Sequence, residues 1–113
     1  MSYIIIDLDK PRRFRLDLNA ICDIEDMFDA PLQDIFNAKK MGTRHLRGIL
    51  WAGLRPFDNR ITIETAGNLL QEYLKPDLKG RSTELGKKYR EALVASGFID
   101  TTEPSGDETK NVE

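Results

Sequence analysis

One histidine, His45, and one cysteine, Cys22, are the only side chains of their kinds in this 113-residue sequence. A nucleophilic site would need a base beside the nucleophile, and no recognised elbow or signature surrounds either residue. His45 lies far along the chain from Cys22, so it reads as a surface or helix-flank histidine. Zinc needs about four nitrogen or sulfur ligands, more than one His and one Cys supply. Carboxylates are plentiful but poorly arranged. Glu25 and Asp26 are adjacent, so on a helix they point about 100° apart and face no common site. Asp7 and Asp9 share a strand face at i, i+2 and have the chemistry to grip a hard cation, but solvated strand charges are the commoner case. The scattered glycines from Gly42 to Gly97 build no strand–loop–helix phosphate cradle. The expectation is a chain that is not an enzyme, with no cofactor and no metal.

Charge comes next. Three basic clusters stand out: Arg12, Arg13 and Arg15; Lys39, Lys40, Arg44 and Arg47; and Lys87, Lys88 and Arg90. Converging on one face, they would bind phosphates. The balance argues for solvated faces instead. The formal net charge is -2. Asp100 to Glu113 alone sums to -4, which leaves +2 on the rest. A near-neutral body with an acidic tail is not the footprint of a dedicated nucleic-acid binder.

The elements that would position these residues follow from periodicity. Tyr3 to Leu8, with Ile4, Ile5 and Ile6, suits a strand. Asp9-Lys10-Pro11 is a turn signal. Arg12 to Leu18 then alternates, with Phe14, Leu16 and Leu18 on one side. From Leu18 the period becomes helical. Leu18, Ile21, Cys22, Glu25 and Phe28 share a face, with Ile24 beside it, and Asp17 is the N-cap. Pro31 ends this helix near Asp29 and opens a short second one through Leu32, Ile35 and Phe36. Thr43 is expected to cap a third helix, whose stripe is Leu46, Ile49, Leu50, Gly53 and Leu54. Gly48 and Gly53 cost helix stability, so each marks close packing. Thr62 caps a fourth helix with Ala66, Leu69, Leu70, Tyr73 and Leu74 on one face. Ser82 is expected to open a fifth, carrying Leu85, Tyr89, Ala92, Leu93 and Ser96, with Gly97 as its left-handed terminator and Phe98 and Ile99 folding back onto the core.

The predicted fold is therefore mainly α (α+β): an N-terminal β-hairpin followed by a compact bundle of about five helices. Residues 1–100 form a single domain, and 101–113 an acidic tail too polar to fold. A chain this long buries roughly two-thirds of its unfolded surface, enough for one core. The lone cysteine gives no internal disulfide and so no sign of an oxidising compartment. The start, MSYIIIDLDKPRR, is neither a signal peptide nor a membrane span. Cytoplasm is the expected location, with no membrane partner.

Two surfaces are candidates for binding. Trp51 points roughly 120° from the centre of its helix's core stripe. It is either ordinary core of a helix packed all round or the centre of an exposed apolar patch framed by Arg47 and Arg55. Ile4, Ile5 and Ile6 place apolar groups on both faces of a strand, which suggests that both are covered. The cover is the chain's own helices, a second copy in a homo-oligomer, or a partner pairing with the free edge.

The runs "FRLDLNAICDIEDMF", "LRGILWAGL" and "ITIETAGNLLQEYL", in this order, resemble the small tail assembly chaperones of long-tailed phages and prophages. The matching positions are Asp17, Leu18, Asn19 and Ala20 with Glu25, then Leu46 and Arg47 through Leu54, then Ile61 to Leu70. The resemblance covers roughly residues 12 to 75. It implies a non-enzymatic role: binding the apolar, helix-prone tape measure protein, with tail tube protein as a second candidate partner, before the tail tube polymerises. It also implies work in the host bacterial cytoplasm and absence from the mature virion. The alternative is a small helical nucleic-acid-binding regulator of phage or prophage origin. A toxin-like small enzyme ranks third, for want of a catalytic constellation.

Overall fold

The period-2 alternation at the start of the chain folds as a hairpin. The structure is a computed structural model and describes residues 2–37 and 41–98. Strand β1 (Ile4–Asp7) pairs antiparallel with β2 (Pro11–Phe14), with Ile4 opposite Phe14, Ile5 opposite Arg13 and Ile6 opposite Arg12. At the turn, Arg12 donates twice to the Asp9 carboxylate, at 2.7 and 2.9 Å. That hydrogen bonding holds the Asp9 carboxyl below its usual range. Asp9 is thus engaged with an arginine, and no cluster of metal-ligating side chains occurs among the described residues.

Five helices follow: α1 (Leu18–Phe28), α2 (Leu32–Asn37), α3 (Thr43–Leu54), α4 (Ile63–Leu74) and α5 (Leu78–Ala95). Asp17 caps α1 by accepting from the Ala20 amide at 2.9 Å. Asp29 ends α1 in the left-handed region, at φ 51°, a conformation Asp tolerates better than most residues. Glu25 then reaches forward, and its carboxylate accepts from the Leu32 amide at 2.8 Å, an orphan donor at the start of α2. Thr62 caps α4 through the Thr65 amide. Gly97, at φ +85°, terminates α5, where the Phe98 amide donates back to the Leu93 carbonyl at 2.9 Å.

Helix α3 is the centre, packed against α1, α4, α5 and β2, while α5 also covers β1. Its expected stripe is buried throughout, and Ala52 and Gly48 are buried besides. Gly53 is where the hairpin docks. The Phe14 ring fills the space that a Gly53 Cβ would take. The Gly53 carbonyl, an orphan near the end of α3, accepts from the Arg15 amide at 3.0 Å. Phe14 stacks on Tyr89 of α5 at 5.2 Å between centroids. The Tyr89 hydroxyl donates to the Leu46 carbonyl at 2.7 Å. Complete burial pushes that hydroxyl well above the usual tyrosine range.

Several expectations shift. Leu18 is 61% exposed and Cys22 is exposed. The strand ends at Phe14 and the Asp17 cap turns the chain, so the buried face of α1 is Ala20, Ile21 and Ile24. Gly42, not Thr43, is the N-cap of α3, extended and without a side-chain cap. Helix α5 starts at Leu78, not Ser82. Asp77 caps it by accepting from the Gly80 amide at 3.0 Å, so an earlier capping residue captures the start. Phe98 is exposed rather than folded back. Ile99, the acidic tail and Lys39–Lys40 lie outside the described residues.

Gly53 and Gly86 should respond oppositely to alanine. Gly86, inside α5, has nothing within 4 Å of an added Cβ, so Gly86→Ala should gain about 1 kcal/mol from helix propensity. Gly53→Ala drives into the Phe14 ring and should lose about 1–3 kcal/mol. Urea unfolding followed by circular dichroism measures both. An unchanged Gly53→Ala midpoint would show that Phe14 does not sit there.

Candidate partner-binding groove

The outward strip of α3 carries Arg44, Arg47 and Trp51 at i, i+3 and i+7, one face of a helix. Across from it lies the end of α1. Gly48 makes that approach possible, because Met27 and Phe28 occupy the space its Cβ would need. Their half-buried side chains, with Ile63 at the first position of α4, complete a groove of about 240 Å³ lined by Met27, Phe28, Arg44, Arg47, Trp51 and Ile63.

Trp51 resolves between its two expected roles as a wall. It is half-buried, and its Nε1–H donates to the Ile61 carbonyl at 3.1 Å. That bond pins the α3–α4 connection just before the Thr62 cap. Arg55 lies over the indole at 5.0 Å and is held by Asp23 at 2.9 Å. The ring is thus fixed on two sides while part of it remains in contact with solvent.

The rim is basic. Arg44 stacks over Phe28 at 5.7 Å. The Arg47 stem passes beside Gly67 of α4, where an added Cβ would lie 3.2 Å from its Cδ. Both arginines also line a neighbouring groove of about 410 Å³ between α3 and α4, with Glu64, Gly67 and Leu70. Arg12, Arg15 and Arg55 each meet a carboxylate, while no ion pair involves Arg44 or Arg47 among the described residues. His45 sits behind the rim with its ring 4.5 Å from Phe28. Its Nδ1 is buried without a hydrogen-bond partner among the described residues.

Of the residues singled out from the sequence, Trp51 and Arg47 meet in this groove. Arg55 touches Trp51 but lines a different depression with Arg15 and Asp23. The hairpin isoleucines do not line the groove. Ile6 is 2% exposed and belongs to the core, and Ile4 packs partly against it. Ile5 is 45% exposed, so the chain leaves the outer strand face open rather than covered. There, Tyr3 meets Phe57 edge-on at 5.6 Å with Arg13 over both rings. Sequence reasoning missed Met27, Phe28, Ile63 and Arg44. The i, i+3, i+7 spacing of Arg44, Arg47 and Trp51 was the legible signal for the last of these.

The chain matches no family model, no curated protein and no solved structure.

Trp51→Phe keeps an aromatic wall but removes the hydrogen bond to Ile61. Its expected cost is about 1 kcal/mol, read from urea unfolding by circular dichroism. A loss several times larger would mean that the indole is full core rather than a groove wall.

Proposed function

We propose that this chain is a non-enzymatic tail assembly chaperone of the long-tailed phage and prophage kind, which binds the tape measure protein during tail morphogenesis. One observation carries the reading. The three segments on which the resemblance rests each supply side chains to one groove. Met27 and Phe28 come from the first, Arg47 and Trp51 from the second, and Ile63 from the third.

The groove suits the partner's chemistry. An apolar, helix-prone chain binds by laying apolar side chains at helical spacing into a groove. Met27, Phe28, Trp51 and Ile63 offer that floor, and Arg44 and Arg47 offer a polar rim. Trp51 is held beforehand by Ile61 and Arg55, so little ordering remains to be done on binding. In this reading the chain acts in the host bacterial cytoplasm and leaves before the virion is complete. No helix among the described residues is long and apolar enough to cross a membrane. The open outer face of the hairpin, with Tyr3 and Ile5, is the second contact surface, for tail tube protein or for another copy of the chain.

Titration calorimetry against the tape measure protein encoded beside this chain tests the proposal. Trp51→Ala combined with Arg47→Glu should weaken binding about 30-fold, equivalent to about 2 kcal/mol, with the helical circular dichroism retained. Wild-type chain that ignores the tape measure protein overturns the reading. Binding to duplex DNA that falls steeply with salt would favour the nucleic-acid-binding regulator in its place.

A further inference from the structure

Arg44 and Arg47 form a ridge shared by two adjoining grooves. On one side lies the apolar floor of Met27, Phe28, Trp51 and Ile63. On the other, α4 presents Glu64, Asn68 and Gln71 at i, i+4 and i+7. Both arginines are exposed, yet their stems are placed by the body of the protein. Arg44 lies over the Phe28 ring at 5.7 Å, and Arg47 passes beside Gly67. No ion pair involves either arginine among the described residues. Glu64 is the single acidic residue lining the two grooves.

Two placed positive charges beside one carboxylate favour an anionic counterpart. The neighbours say which kind. A guanidinium binds carboxylates in a fork, and the Asn68 and Gln71 amides have donors to add. The apolar floor beside the ridge favours an anion carried on a chain that also brings hydrophobic side chains. Base stacking, which a single-stranded nucleic acid would use here, meets rings that already carry Arg55 and Arg44. Spacing adds a further condition. At i and i+3, the two arginines are rooted about 4.5 Å apart along the axis of α3. Carboxylates at i and i+3 or i+4 of a second helix are separated by about 4.5–6 Å along its axis, which matches.

We propose that the groove selects an amphipathic helix whose apolar stripe is flanked on one side by carboxylates one turn apart, and that Arg44 and Arg47 read that flank. The stripe rests on Met27, Phe28, Trp51 and Ile63. The carboxylates engage the two guanidinium groups, and the next polar side chains of the helix enter the groove beside Asn68 and Gln71. This selection rests on the reading of the groove as a helix-binding face and adds the charge that a bound helix must carry. It holds whatever the identity of the partner.

Trp51 is the only tryptophan and a wall of the groove, so its fluorescence reads binding at this site in the full chain. The probes are three alanine-rich peptides of about 20 residues, long enough to be helical in water. They contain no tryptophan, share one leucine stripe, and carry Glu, Gln or Lys at i and i+4 along its flank. At low salt the Glu peptide should bind about tenfold tighter than the Gln peptide, equivalent to about 1.4 kcal/mol, and the Lys peptide should bind weakest. The preference should largely vanish in about 1 M salt, where the screening length falls to about 3 Å. Arg44→Glu/Arg47→Glu should reverse the order to Lys over Glu, and binding of the Lys peptide shows that this variant is folded. Equal binding of all three peptides by the wild type overturns the proposal and leaves the groove a helix-binding face. A Glu preference that survives the arginine reversal overturns it too, because the charge is then read elsewhere. Failure of all three to bind overturns both this selection and the helix-binding reading beneath it. An oligothymidylate that changes the Trp51 emission as the Glu peptide does would assign the two arginines to a phosphate backbone and overturn it as well.

Discussion

Phe14 lies flat between two things that leave it no alternative place: the bare backbone of Gly53 and the ring of Tyr89. A glycine inside a helix costs stability relative to alanine, yet here it lets an aromatic ring approach the helix axis. The Tyr89 hydroxyl, deep in the core, is satisfied by the Leu46 carbonyl, and an unpaired hydroxyl there would be costly. The Arg15 amide closes the junction on the Gly53 carbonyl. Four contacts thus bind the hairpin, α3 and α5 into one core, and fix the rotation of α3 about its own axis.

That rotation decides what α3 shows to the outside. With Leu46, Ile49, Leu50 and Leu54 committed inward, the strip left at the surface is Arg44, Arg47 and Trp51. A second glycine, Gly48, repeats the device on the other flank and brings Met27 and Phe28 of α1 across the helix. The Trp51 indole then fastens the entry to α4 through Ile61, which sets Ile63 at the groove's far edge. The groove is in this sense a by-product of packing α3 on nearly all sides, with the remaining strip rich in arginine and one large aromatic.

Much of the fold was legible because its signals are local. The hairpin follows from alternation on either side of Asp9-Lys10-Pro11, although Pro11 itself opens β2 opposite Asp7. The caps at Asp17 and Thr62 and the glycine terminator at Gly97 follow from side-chain chemistry. The errors arose where two local signals competed. Leu18 continues the strand alternation and also begins a helix, and the helix cap at Asp17 won, which put Leu18 in solvent. Asp77 and Ser82 both suit a helix start, and the first to be reached prevailed. The groove was less legible, because it is built from residues on three helices. Trp51 and Arg47 could be suspected from one helical wheel, but Met27, Phe28 and Ile63 join them only through tertiary packing. Gly48 carried a hint of close approach without saying what approached. Ile5 shows the limit of composition: three consecutive isoleucines implied two covered faces, and the chain covers one.

The central claim is that this groove is the face by which the chain holds a helical partner. Photo-crosslinking in cells measures it most directly, with benzoylphenylalanine at Ile63, on the groove edge, compared with the same group at Leu78, which is exposed but does not line the groove. The account predicts a specific crosslinked adduct with the tape measure protein from position 63 and none from position 78. Adducts from position 78 alone, or equal adducts from both, would contradict it.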